Sequence, residues 1–309
     1  MERRTVDLRG PVFYLDFPGP ASGPTFVLVH GLGGSHANWL SIAPMLANRG
    51  RVLALDLPGF GLSPLAGRRA NLSSSRALIA RFIQAVADPP VVLAGNSMGG
   101  ALSIRQAVAD PDSVRGLVLI APALPRRRRQ SFDPTVAGFI SASIVPRVGE
   151  IVVSRGMRVY GTERIVDRML RLCNVDPSRV SQDVVDAHLE VARARSGAKD
   201  MTSAFVQGAR SLVGALGMRR RYLQTLSAVT APTLLIGGEH DRLVPRACVE
   251  SIARIRPDSE HVMLDDVGHT PMLEDPRAVL GAIDAWLAGP ASWILLGTQS
   301  LAGEARALR

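Results

Sequence analysis

Pro90-Val91-Val92-Leu93-Ala94-Gly95-Asn96-Ser97-Met98-Gly99-Gly100 joins an apolar, strand-like run to a stretch, Ala101 to Ala109, that suits a helix. Between the two stands the pattern G-x-S-x-G. A chain that turns sharply from strand to helix needs glycine on both sides of the serine. The turn then holds the hydroxyl clear of the sheet, where a substrate can reach it. Alone, a tight serine turn is a weak motif. Its weight comes from what the chain supplies on either side.

Short apolar runs recur along the sequence: Thr25 to Val29, Arg51 to Leu55, Val91 to Ala94, Gly116 to Ile120, Thr233 to Ile236 and His261 to Leu264. Helical stretches are predicted between or after them at Trp39 to Asn48, Ser75 to Ala87, Met98 to Ala109, Arg246 to Ile255 and Pro276 to Leu287. Nearly continuous apolar strands alternating with helices predict an α/β fold, with a parallel sheet covered on both faces.

The alternation stops between the fourth and fifth of these runs. There the pattern is helical, at Ile151 to Val159, Thr162 to Leu172, Val180 to Arg195 and Met201 to Val213, and prolines 125, 134, 146 and 177 punctuate it. A helical block inserted between two strands of one sheet reads as a cap over the carboxyl edge, where open α/β sheets bind ligands. The expected organisation is a core of residues 1–123 and 227–288, a cap at 124–226 and a tail at 289–309, in which Trp293 to Leu296 can pack back on the core.

A chain of 309 residues, 47% hydrophobic and 20% charged, has the composition of a soluble globular protein with a large core. Cys173 and Cys248 lie far apart and outside any metal-ligand spacing, so neither a disulfide framework nor a metal site is expected. The first residues carry charge but no apolar stretch of signal-peptide type, and no uncharged run reaches the length of a membrane span. The expected location is cytoplasmic, with peripheral membrane attachment left open.

The net charge of +9 is unevenly placed. Residues 123–222 hold 18 basic and 9 acidic side chains, whereas the remainder holds 18 of each. The run Arg126-Arg127-Arg128-Arg129 belongs to this segment. One reading is a solvated surface in a chain with 35 arginines and one lysine. The other is attraction to an anionic substrate or an anionic membrane surface. Nucleic acid is not expected as a partner, because the five aromatics of the segment form no stacking pattern.

A serine hydroxyl needs a base within hydrogen-bond reach, and that base needs an orienting acid. The candidate base is His269, in Val267-Gly268-His269-Thr270-Pro271 after the last apolar run. The candidate acid is Asp241, in Gly237-Gly238-Glu239-His240-Asp241 after the preceding one. Glu239 is a rival for Asp241. Asp265 and Asp266 stand closer to His269 in sequence but lie at the end of the apolar run and read as turn formers or solvated charges. His36, His188 and His240 read as structural or surface histidines. A developing oxyanion needs donors, and the backbone N–H groups of Met98 and of Leu32, in His30-Gly31-Leu32-Gly33-Gly34, are the candidates. This glycine loop is no dinucleotide cradle, since position 36 is His36 where G-x-G-x-x-G requires glycine.

Five segments together resemble the α/β-hydrolase superfamily in its capped branch. They are His30 to Gly34, Asp56-Leu57-Pro58-Gly59-Phe60-Gly61-Leu62-Ser63, Gly95 to Gly100, Gly238 to Asp241, and Gly268 to Pro271. The resemblance implies a mostly parallel, eight-stranded sheet flanked by helices. It also implies a Ser-His-Asp hydrolase with the order Ser97, Asp241, His269, needing no cofactor and no metal. Haloalkane dehalogenases and epoxide hydrolases carry aspartate where this chain has Ser97, which excludes them. Gly-Asn-Ser-Met-Gly-Gly is frequent in the meta-cleavage C–C hydrolases, but Thr270-Pro271-Met272-Leu273-Glu274 after the histidine is more like general esterases and lipases. The expected substrate is a small-molecule ester with an apolar acyl part, to which Val136 to Ile140 could contribute lining. C–C hydrolysis, a membrane-associated lipase held by the basic cap, and a non-enzymatic member of the fold are the alternatives.

Overall fold

The computed structural model describes residues 1–126 and 148–295, together with positions 138, 141 and 145. Arg127 to Arg129, the stretch from Val136 to Ile140 apart from Gly138, and the tail beyond Leu295 lie outside the described residues.

Eight strands form one sheet: β1 (Glu2–Asp7), β2 (Pro11–Phe17), β3 (Phe26–Val29), β4 (Val52–Leu55), β5 (Val91–Asn96), β6 (Val114–Ile120), β7 (Thr233–Gly238) and β8 (Glu260–Leu264). Their spatial order is β1-β2-β4-β3-β5-β6-β7-β8. β2 pairs antiparallel with both β1 and β4, and every pairing from β4 to β8 is parallel. The carboxyl ends of the parallel strands therefore share one edge.

The helices are α1 (Ala43–Leu46), α2 (Leu72–Phe82), α3 (Met98–Ala109), α4 (Val148–Cys173), α5 (Gln182–Ala194), α6 (Lys199–Gly217), α7 (Arg219–Ser227), α8 (Arg246–Ala253), α9 (Pro271–Glu274) and α10 (Pro276–Ala288). The predicted helix from Trp39 to Asn48 is shorter than expected. A 3-10 turn at His36–Trp39, capped by the Ser35 hydroxyl, precedes the single turn of α1.

Alternation along the strands builds a core on each side of the sheet. Val27, Val29, Leu53, Leu55, Leu93, Leu117 and Leu235 point to one face and pack with Leu78, Phe82 and Leu102 of α2 and α3. Phe26, Leu28, Val52, Val92, Val118, Ile120 and Ile236 point to the other and pack with Val279, Ile283 and Trp286 of α10. Burial on both faces is why these strands read as unbroken apolar runs, and each fully buried large side chain contributes about 1.5–3 kcal/mol. The described part of the tail does return to the core. Ile294 is fully buried, and a Cβ at Gly116 would stand 2.7 Å from its Cδ1. A side chain at position 116 would force the Ile294 and Trp286 side chains to shift.

Between β6 and β7 the chain leaves the sheet and forms α4 to α7. Gly161, at φ 73°, breaks α4 into two pieces. α6 lies over the carboxyl edge, where its side chains satisfy backbone N–H groups of the core. Asp200 accepts from Leu65 at 2.6 Å, Gln207 from Ala70 at 3.1 Å and Ser211 from Leu72 at 3.0 Å. On α7, the buried Tyr222 hydroxyl donates to the Ala123 carbonyl at 2.6 Å.

Candidate active site

β5 ends at Asn96 and α3 begins at Met98, so Ser97 alone makes the turn, at φ 54° and ψ −117°. A non-glycine residue held there is strained, which the surroundings must enforce. The glycines explain how. A Cβ at Gly99 would stand 2.0 Å from the Val29 carbonyl oxygen, and one at Gly95 would stand 2.4 Å from the Gly99 carbonyl carbon. Strand and helix approach this closely only because both positions lack side chains.

The glycine loop after β3 lies against this turn. A Cβ at Gly31 would be 3.1 Å from the Ser97 Cβ. Neither the Leu32 nor the Met98 N–H donates to a protein acceptor among the described residues. Met98 opens α3, so its N–H belongs to the unfilled first turn of that helix. α6 closes over the loop, with Phe205 against Gly33 and Gly208 opposite the Leu32 side chain.

Asp56 anchors the same region from beneath. Its carboxylate accepts from the His36 N–H at 2.6 Å, the His36 ring Nδ1 at 2.8 Å and the Leu62 N–H at 2.7 Å. His30 accepts from the Leu57 N–H at Nε2 and holds the Gly31 carbonyl through Nδ1. Burial pushes its pKa below the ordinary histidine value, so it stays neutral.

His269 and Asp241 meet. The His269 Nδ1 lies 2.7 Å from Asp241 Oδ2, and both residues are buried. Asp241 Oδ1 accepts from the Leu243 and Val244 N–H groups at 2.7 and 2.8 Å, which fixes the carboxylate in the loop after β7. Bonding to Asp241 places the proton on Nδ1 and leaves the Nε2 lone pair available as a base. The rivals are engaged elsewhere. Glu239 faces Arg246 at 3.4 Å near the surface, and Asp266 pairs with Arg179.

The His269 backbone is gripped from two sides. Asn96 Nδ2 donates to the His269 carbonyl at 3.1 Å, tying the candidate base to the residue before Ser97. The His269 N–H donates to the Cys173 carbonyl at 2.5 Å, and the Thr270 hydroxyl to Asn174 Oδ1 at 2.7 Å. Buried Glu274 accepts from the Gly268 N–H at 2.8 Å and the Asp176 N–H at 2.7 Å. The turn after α4 is thus clamped onto the histidine loop. Asn96, Cys173 and Glu274 were not singled out in the sequence. Asn96 could have been, as the residue preceding the serine. The other two carry no local signal.

The Ser97 hydroxyl makes no hydrogen bond among the described residues. Sites without substrate commonly hold such contacts long, and they tighten on binding. A cavity of about 600 Å³, lined in part by Arg171, Cys173, Asp241, Arg242 and Gly268, lies beside the carboxylate rather than at Ser97. The Cys173 thiol is no rival nucleophile, because burial and the Asp241 charge push its pKa up to about 12. Among the described residues no group of His, Cys, Asp and Glu side chains is arranged to hold a metal ion.

Comparison with known proteins agrees with this architecture. Residues 24–276 match the family described as the alpha/beta hydrolase fold. A pimeloyl-[acyl-carrier protein] methyl ester esterase from Aeromonas hydrophila is 27% identical over 262 residues, covering 85% of this chain and 94% of the relative. A 2-hydroxy-6-oxononadienedioate/2-hydroxy-6-oxononatrienedioate hydrolase from Cupriavidus pinatubonensis is 28% identical, covering 84% of each. The crystal structure of a membrane phospholipase A superposes with a TM-score of 0.69 at 28% identity, covering 93% of this chain and 86% of that one. The chain belongs to the α/β-hydrolase-fold family, and it is a hydrolase of the esterase-like kind.

Proposed function

We propose that the protein hydrolyses carboxylic esters with an apolar acyl part through an acyl-enzyme. The observation that carries this reading is the buried His269–Asp241 pair, tied by Asn96 to the turn that presents Ser97. His269 Nε2 takes the Ser97 proton as Oγ attacks the ester carbonyl. The Leu32 and Met98 N–H groups stabilise the oxyanion, and Asp241 stabilises the imidazolium. The C–O bond to the alcohol then breaks, and the alcohol leaves with the proton from His269. Water, deprotonated by His269, attacks the acyl-serine, and the carboxylic acid departs as the proton returns to Ser97.

In this reading residues 124–226 act as the cap. The support is α6, whose side chains bond to the core beside the glycine loop. C–C hydrolysis is the second reading, favoured by the similarity to the hydroxy-oxo-dienedioate hydrolase. Both use the same base and oxyanion donors and differ in the bond broken. A panel of p-nitrophenyl esters of increasing chain length, run beside one vinylogous diketone, tests them. The expected result is ester turnover that Ser97→Ala abolishes. Turnover of the diketone alone would select the second reading, and turnover of neither substrate would contradict both.

A further inference from the structure

The first piece of α4, before Gly161, is not buried as an amphipathic helix should be. Ile151 is 63% exposed, Val152 37%, Val159 63% and Tyr160 41%. At helical spacing these four share one half of the circumference with exposed Arg155. Single exposed apolar side chains are ordinary on a protein surface. Four on one helical face leave that face without a partner among the described residues.

The charges beside this face are one-sided. Each carboxylate on α4 is already engaged: Glu150 with Arg210 at 3.4 Å, Glu163 with Arg193 at 2.8 Å and Asp167 with Arg171 at 2.9 Å. Arg155 and the exposed Arg164 form no ion pair among the described residues. The Arg168 guanidinium sits 4.0 Å from the centre of the Tyr160 ring. What remains outward is aliphatic tips, one tyrosine and uncompensated positive charge.

We propose that this face of α4 is a docking surface for an anionic lipid bilayer. Aliphatic side chains enter the interface, the tyrosine ring lies at headgroup level, and the arginines meet lipid phosphates. A soluble acidic partner would match the arginines, but it would need shape and hydrogen bonds from a face whose described polar groups are arginines and the Tyr160 hydroxyl. Disordered hydrocarbon needs neither. No described helix is long and apolar enough to cross a membrane, so the contact is with the surface. This inference does not depend on which residue is the nucleophile.

Sedimentation of the full chain with vesicles tests it, comparing phosphatidylcholine alone with phosphatidylcholine holding about 30% phosphatidylglycerol. The protein should pellet with the anionic vesicles, sediment little with neutral ones, and be released by salt. Ile151→Glu with Val159→Glu, and Arg155→Glu with Arg164→Glu, should each lower binding about tenfold or more. These variants should keep the thermal melt and their turnover of a soluble ester, which separates lost docking from lost folding. Binding unchanged in both pairs would overturn the proposal, since another basic segment would then be responsible. So would absence of binding, or equal binding to neutral vesicles. A wild-type dimer that the apolar pair dissolves would assign the face to a second copy instead. Binding to soluble polyglutamate without binding to vesicles would assign it to an acidic protein.

Discussion

The side chain of Asn96 holds the main-chain carbonyl of His269 at 3.1 Å, across 173 residues of sequence. The same amide nitrogen also donates to the Ile120 carbonyl, so the end of β5 fastens both its neighbour strand and the histidine loop. The residue beside the proposed nucleophile thereby sets where the proposed base can stand. Asn96→Ala should lower kcat about 10- to 100-fold by loosening that placement, with little change in KM. Steady-state kinetics on one soluble ester, with a melting curve to verify folding, checks this. An unchanged kcat would remove Asn96 from the positioning role.

Glu274 holds the other side of the loop, accepting from the Gly268 and Asp176 N–H groups. Glu274→Gln keeps the shape but turns an NH2 group toward one of two donors. The expected cost is about 1–3 kcal/mol of stability, seen as a lower urea midpoint. Because the loop carries His269, kcat should fall in the remaining folded protein as well.

Gly99 tests the turn itself. Its Cβ would meet the Val29 carbonyl oxygen at 2.0 Å, and both groups are backbone. Gly99→Ala should therefore cost about 3 kcal/mol or prevent folding, measured by denaturant titration. Gly67 has a positive φ but open space around it. Gly67→Ala should cost less, about 1 kcal/mol, from backbone conformation alone.

Acid should weaken the fold through its buried histidines. Burial pushes the pKa of His30 and of His188 below the ordinary value, and His36, close to both, lowers them further; Asp56 opposes the shift at His30. The folded protein keeps these rings neutral, while the unfolded chain takes up protons as pH falls through about 6.5. The unfolded state then binds more protons. Stability is full above that pH and is lost between it and the lower folded values, at up to about 1.4 kcal/mol per pH unit for each ring. Urea midpoints at pH 7.5 and 5.5 measure the loss, and His188→Gln should reduce it.

The parallel strands were legible because burial on both faces forces continuous apolar runs. β1 and β2 were not singled out. Glu2–Asp7 is mostly exposed and owes its conformation to pairing with β2 rather than to any pattern of its own. The helix predicted from Trp39 was overdrawn, because local caps at Ser35 and the proline at position 44 divide the segment into short turns. At the site, the serine turn was readable because its glycines must be local, and the loops of Asp241 and His269 because they follow strands. The clamp through Cys173 and Glu274 was not readable. It joins groups about a hundred residues apart, such as the Asp176 N–H and the Glu274 carboxylate at a separation of 98, and at least one partner in each bond is a main-chain atom that any residue could supply.

An activated Ser97 would react covalently with an electrophilic phosphonate, so labelling reads its nucleophilicity without a substrate. Incubation with a fluorophosphonate, followed by peptide mass spectrometry, should place a single phosphonyl adduct on Ser97. His269→Ala should slow its formation about a thousandfold or more. A folded protein that leaves Ser97 unmodified, or labels equally fast without His269, would mean that Ser97 is not a nucleophile activated by His269.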